Sequence, residues 1–264
     1  MTRSVSYTYA VARYVDGLRR TLRGLHGVGG EPVHLVEPTH GAGPVAVVSP
    51  VPEQDFEESA LRRHLEDLEW LEDLARAHHG VIEAIAARTT VLPLRLATVY
   101  LDDIRVRAVL DERQSVFDEQ LSHLADHLEW GVKLYVDQPT TPAGPPPNPE
   151  PGSGRAYLRQ RRAQRDSRQD AYQAAERAAR RIETAARAYA VERVRHRPQE
   201  GQLAVGPGVN VSNDAYLVPL DHAEPFRTDV LHSIDGLAGV RVEVTGPWAP
   251  YSFAALQQAQ EAAP

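Results

Sequence analysis

The chain has no cysteine, one methionine and a single lysine, Lys133, and aromatic residues make up only 6% of its 264 positions. The missing thiols exclude a disulfide framework, a thiolate zinc centre and a cysteine nucleophile. No apolar run approaches the roughly 20 residues that cross a bilayer; the longest are strand-sized pieces such as Val45–Val48. The start, Met1-Thr2-Arg3-Ser4-Val5-Ser6-Tyr7, lacks the apolar core of a secretory signal, so a cytoplasmic protein is expected. Also missing are a G-x-S-x-G elbow, a G-x-x-x-x-G-K-[ST] loop and a G-x-G-x-x-G turn, which leaves nucleophilic hydrolysis and nucleotide binding without a signature.

What is present is a chain that is 42% hydrophobic and 25% charged, with a formal charge of −7, long enough for two domains. The charge is unevenly spread. Residues 155–197 hold 13 arginines against five acids, whereas residues 53–73 hold nine acids against Arg62 and Arg63. Clustered arginine suggests phosphate binding. The stretch has little aromatic interleaving beyond Tyr157, Tyr172 and Tyr189, and the pI is about 5.9, so no nucleic-acid partner and no membrane partner are expected.

Along the chain, Ser4–Tyr14, Val33–Val36, Val45–Val48 and Thr90–Tyr100 read as strands of a small mixed sheet, with a short helix in Asp16–Leu25 stopped by Gly27-Val28-Gly29-Gly30. Leu61, Leu65, Leu68, Leu71, Ala75, His78, Ile82 and Ile85 predict one or two amphipathic helices over Phe56–Arg88. Asp102-Asp103 caps a further helix carrying Val106, Leu110, Phe117, Leu121, Leu124 and Leu128. The segment Gln138–Gly154, with seven prolines in 17 residues, predicts an exposed polyproline-like loop.

On either side of that loop lie a strand, Glu129–Asp137, and a long arginine-rich helix from about Arg155 to His196. Its expected seam is Tyr172, Ala175, Ala179, Ile182, Ala186 and Tyr189. Strands over Gln202–Val211 and Ala215–Val218, a helix near Pro225–Leu237 and a strand Val240–Thr245 complete a β-α-β-β-α-β order, that of a ferredoxin-like sandwich. The expected fold is therefore α+β in two domains, 1–127 and 128–264.

His123 and His127 stand four apart and could share a helix face, but the glutamate of HExxH is missing and no third ligand is nominated. His78 sits on the apolar stripe and reads as a core histidine. Asp102-Asp103 reads as a cap rather than an acid/base pair. No catalytic residue, metal or cofactor is expected.

Four blocks resemble the gas vesicle accessory protein family of the L/F type (GvpL/GvpF): Thr90-Val-Leu-Pro-Leu-Arg-Leu-Ala-Thr-Val-Tyr100, Trp130-Gly-Val-Lys-Leu-Tyr-Val136, Asn213-Asp-Ala-Tyr-Leu-Val-Pro219, and Thr245-Gly-Pro-Trp-Ala-Pro-Tyr-Ser-Phe253. They occur in the family's order, and Tyr157-Leu158-Arg159 is similar to its block at the start of the long helix. The proline loop is longer than is usual there, and Leu96-Ala97 stands where the family more often has Phe-Gly, a change expected to alter strand packing slightly.

The resemblance implies two α+β domains, the second a modified ferredoxin-like one, and a non-enzymatic, chaperone-like assembly factor of the cytoplasm and gas vesicle. Its implied partners are the hydrophobic shell protein and other accessory proteins, with a minor place in the shell itself as one form of the role. A sheet edge is the expected grip for a shell subunit, and Arg177, Arg180 and Arg181 are candidates for pairing with acidic partners. Trp130, Trp248 and Tyr251 are candidate aromatic anchors, the last two also expected to pack the chain end over the sheet. Arg95, an arginine in an apolar strand, is expected to pair with an acid at the domain interface. The competing reading is a small-ligand sensor or enzyme on the ferredoxin-like domain, which requires a pocket of convergent polar groups.

Overall fold

The computed structural model describes residues 3–40, 42–64, 66–137, 153–198 and 208–254. They fall into two units, Met1–Glu129 together with Trp248–Pro264, and Trp130–Pro247. The second domain was expected to run to residue 264; the chain from Trp248 onward groups with the first unit instead.

In the first unit, β1 (Ser4–Ala12), β2 (His34–Val36), β3 (Val45–Pro52) and β4 (Val91–Pro93) form a sheet of order β2-β3-β1-β4, with β5 (Val99–Tyr100) also paired to β1. The sheet expected to be mixed is antiparallel in each of these ladders. A bulge breaks the β1–β3 register between Thr8 and Ala10, leaving Tyr9 as the extra residue. An extra residue resets the two-residue alternation. Val5, Tyr7, Tyr9, Ala10 and Ala12 consequently all enter one core cluster.

Against that cluster packs α4 (Leu68–Ala86), with short helices α1 (Leu18–Leu22), α2 (Glu53–Phe56) and α3 (Glu58–His64) around it. Asp67 begins α4 as a true N-cap, its carboxylate accepting from the Glu69 and Trp70 N–H groups at 3.1 and 3.2 Å. The buried stripe is Leu74, His78, Val81, Ile82 and Ile85; Leu68, expected on it, is 76% exposed, and Leu65 lies outside the described residues. The single helix expected after Asp102 is two, α5 (Asp103–Glu112) and α6 (Gln114–Leu124), and Leu128 belongs to β6 (His127–Val136).

In the second unit, β6 is followed by α7 (Ser153–Arg187), β7 (Glu192–His196), β8 (Val209–Pro219), α8 (Ala223–His232) and β9 (Val240–Trp248), in the sheet order β7-β8-β6-β9. Connectivity and order are those of a ferredoxin-like sandwich. Except for Ser153 and Gly154 at the start of α7, the proline-rich segment lies outside the described residues, as does 202–207 of the expected strand. The long helix ends nine residues before His196. Its expected tail becomes β7, because Glu192 through His196 ladder with Leu217 through Asn213, and tertiary pairing overrides helix propensity.

Ser212-Asn213-Asp214, expected between two strands, lies inside one. Its polar groups are satisfied across the hairpin: Asn213 Nδ2 donates to the Arg197 carbonyl, and Asp214 accepts from Ser212 and Arg193. The seam of α7 is Ala174, Ala175, Ala178, Ile182 and Ala186, whereas Ala179 and Tyr172 are exposed. From α8, Phe226 packs on Trp130 and Tyr216, with ring centroids 6.1 and 5.6 Å apart, and forms the aromatic core of this unit.

Candidate functional site: polar clusters and exposed faces

Burial places a titratable cluster at the centre of the first unit. The Tyr7 hydroxyl accepts from the Ala97 N–H at 3.0 Å and lies 2.9 Å from His78 Nδ1. Tyr9 Oη accepts from Val28 N–H at 2.8 Å and lies 2.7 Å from Ser49 Oγ. A Cβ at Gly27 would stand 2.0 Å from Tyr9 Oη, so only glycine leaves room for this hydroxyl. Burial drives the His78 pKa down to about 4, a backbone contact with Leu94 opposing it, and the ring is neutral at pH 7. Burial likewise raises both tyrosines above the ordinary phenol range. The Tyr7 and Tyr9 hydroxyls bond to His78 Nδ1, Ser49 and backbone N–H groups of their own chain, so the cluster organises a core.

The chain end supplies a second cluster. Buried Glu129 accepts from Ser252 N–H at 2.8 Å and Ser252 Oγ at 2.7 Å; burial raises its pKa and these bonds resist the rise. Tyr251 Oη lies 3.1 Å from His79 Nδ1, and His79 Nε2 lies 3.1 Å from Glu83, so the tyrosine donates and the imidazole passes its own N–H to the acid. Trp248 faces the His79 ring at 5.7 Å and remains 39% exposed. Tyr251 and Ala249 join the first unit's core, so the expectation that the closing block packs over the ferredoxin-like sheet is corrected.

In the second unit Arg193 donates to Asp214 through Nε and Nη2, at 3.1 and 3.0 Å, reaches Glu183 at 3.4 Å and covers the Tyr216 ring at 5.6 Å. Burial raises the Tyr216 pKa to about 12, with the Arg193 charge opposing it. Sequence reading overlooked this cluster. Its only signal was an acid, Asp214, inside an apolar strand.

The other sequence candidates separate. Arg95 lies beyond β4, is exposed, and has no ion-pair partner among the described residues, contrary to the acid expected for it. Trp130 is buried, 4% exposed, and so is a core residue rather than a surface anchor. Arg177, Arg180 and Arg181 lie on the exposed face of α7; Arg181 reaches the Asp235 carbonyl at 3.4 Å, and Arg180 lines a shallow groove with Asp229 and His232.

His123 and His127 fall on α6 and β6, and His127 Nδ1 is 2.6 Å from the Ala125 carbonyl, so they share no helix face. Asp102 caps α5 through Arg105 N–H at 2.8 Å. Asp103 accepts from Ser6 Oγ and His34 Nε2, bonds that outweigh its partial burial and lower its pKa. Among the described residues no group of three or more His, Cys, Asp or Glu is arranged to hold a metal ion, and no helix is long and apolar enough to cross a membrane.

Fold and geometry together define a two-unit α+β protein with a ferredoxin-like second unit, whose titratable clusters bind their own chain. The family model described as gas vesicle synthesis protein GvpL/GvpF matches residues 5–255. The chain belongs to the GvpL/GvpF family.

It is 44% identical to gas vesicle protein L of Streptomyces sp. (strain CB03234), over 97% of this chain and 95% of that one. It is 29% identical to gas vesicle protein F of the same strain, over 94% and 98%. Crystal structures of GvpF from Anabaena sp. PCC7120 and from Microcystis aeruginosa share its fold, with TM-scores of 0.62 and 0.60 at 20% identity. Each covers 95% of this chain, and 96% and 98% of its own.

Proposed function

We propose that this protein is a non-enzymatic accessory factor of gas vesicle formation, of the L type, acting in the cytoplasm and at the vesicle. It holds the hydrophobic shell protein and other accessory proteins during nucleation and assembly. The observation that carries the reading is the full-length likeness to gas vesicle protein L, stronger than that to protein F of the same strain.

Surfaces support it. β9 ends the order of its sheet and, at nine residues, offers an edge for a strand of a shell subunit. Trp248 stands exposed at the end of that strand. The face of Arg177, Arg180 and Arg181 suits acidic accessory proteins through salt-sensitive guanidinium–carboxylate pairs.

Deleting the gene together with its paralogue from a vesicle-forming host, followed by electron microscopy, tests the role. Loss of vesicles, restored by the full chain, is expected; normal vesicles would overturn it. Pull-down of the shell protein by the full chain tests the grip. Reversing the three arginines to glutamate should weaken capture of acidic accessory proteins at low salt and leave shell-protein capture intact.

A further inference from the structure

β9 pairs with β6 on one side, and among the described residues no strand pairs with the other. Asp137 N–H donates to the Gly239 carbonyl at 3.0 Å, and in a trans peptide the N–H that follows a carbonyl points the opposite way. Val240 therefore turns its N–H to the open edge, and by the alternation of a strand Val242 and Val244 do the same.

Side chains alternate as well. Arg241 stacks on the Tyr135 ring at 4.1 Å and its Nη1 lies 3.4 Å from Glu243 Oε2, so the two charges share one face of the sheet, their side chains 37% and 35% exposed. Buried Val240 and half-buried Val242 and Val244 take the other face.

The stretch Val240-Arg241-Val242-Glu243-Val244 is its own complement in an antiparallel pairing centred on Val242. Arg241 then stands opposite the second copy's Glu243, Glu243 opposite its Arg241, and Val240 opposite its Val244. The charges fall at non-hydrogen-bonded sites, where facing side chains approach most closely. Moving the centre by one residue sets Arg241 against Arg241 or Glu243 against Glu243, so charge fixes the register. The other end of the sheet is built differently. Centred on Val194, β7 would face Arg193 with Arg195, and Arg193 is drawn inward to Asp214 and Glu183, an inward charge of the kind that discourages strand addition.

We infer that the open edge of β9 binds a second copy of this chain, β9 against β9, in a two-fold symmetric antiparallel dimer. The inference does not rest on the gas vesicle role. A shell strand at this edge must displace the second copy, so the two occupants exclude each other.

Sedimentation of the full-length protein from about 1 μM to 1 mM tests the pairing. A monomer–dimer equilibrium is expected, weaker in roughly 1 M than in roughly 0.01 M salt. Arg241→Glu and Glu243→Arg each set like charges opposite one another and should lower dimer affinity by about tenfold or more. Mixed in equal amounts, the two variants regain every opposite-sign pairing between unlike chains and should associate as a heterodimer at least as tightly as the parent. Val242→Pro removes an N–H that β6 does not use, and should abolish the dimer with circular dichroism unchanged. Hydrogen exchange should slow at amides 240, 242 and 244 as concentration rises, while amides 241 and 243 stay constant. A monomer throughout the range, a dimer indifferent to either charge reversal, or reversed variants that keep the fold yet fail to recover on mixing would overturn the assignment.

Discussion

Ala97 occupies a backbone conformation that its side chain resists. Its φ is +62°, in the left-handed region, where an L-residue with a Cβ is disfavoured by about 1–2 kcal/mol. The surrounding bonds hold it there. Its N–H donates to Tyr7 Oη, Leu94 N–H donates to the Tyr9 carbonyl at 2.9 Å, Thr98 Oγ1 donates to the Arg95 carbonyl at 2.7 Å, and Thr8 N–H donates to the Thr98 carbonyl at 2.9 Å. Ala97 thus bears on the backbone of this turn.

Ala97→Gly relieves the strain but frees the unfolded chain by about 0.4–1 kcal/mol. The net expectation is stabilisation of about 1 kcal/mol, a rise of roughly 2–4 °C in the melting temperature of the first unit. Ala97→Val, branched at the strained position, should lower it. Thermal melts followed by hydrogen exchange at amides of β1 and α4 read the effect where it arises. A glycine variant that melts at or below the parent, with valine tolerated, would refute the strain argument.

Gly27→Ala should destabilise the first unit by about 3 kcal/mol, because the added Cβ displaces Tyr9 Oη from Ser49 and Val28; urea unfolding measures it. His78, held near a pKa of about 4, stays neutral in the fold while the unfolded chain takes up a proton below pH 6.5. Its contribution is therefore whole above that pH and is lost as pH falls towards 4, at most about 3 kcal/mol. His78→Phe should flatten that part of the dependence of urea midpoints on pH. Ser252→Ala, which removes one donor from buried Glu129, should cost about 1.5–3 kcal/mol near pH 7 and less where the carboxyl is protonated, as seen by melts at the two pH values.

How much of this was legible in the sequence depended on whether a residue's role is local. Alternation and helical spacing located β1 and α8 within a few residues and the helical character, though not the bounds, of α4 and α6, since each is set by burial of its own stripe. Roles set by distant partners were hidden. Tyr189 to His196 carries helix-compatible residues and becomes turn and strand only because β8 lies ready to pair with Glu192–His196. Ser212-Asn213-Asp214 has turn composition and lies in a strand because Arg193 and Arg197 accept and supply its bonds. Of the proposed partner residues, exposure agrees for the α7 arginines and fails for Trp130, an aromatic whose burial no local pattern distinguishes from display.

The closing block was the most recognisable motif in the chain, yet its structural task follows only from the division into units. Its residues bond backwards: Tyr251 to His79, Ser252 to Glu129, and Ala249 into the cluster that holds Tyr7 and Ile82. The first unit is thus built from both ends of the chain, with Trp130–Pro247 inserted between them. Closing so long a loop adds little, since each doubling of length costs only about 0.6 kcal/mol. What matters is what arrives: buried Phe253 alone is worth about 3–5 kcal/mol against its removal, and the Glu129 carboxylate is left buried without its donors when Ser252 is absent. A chain ending at Pro247 should therefore lose hydrogen-exchange protection in β1 and α4 while β7 and β8, whose ladder is contiguous in sequence, keep theirs. Equal loss in both, or protection of β1 unchanged, would mean that the closing block is displayed for a partner and not spent on the fold.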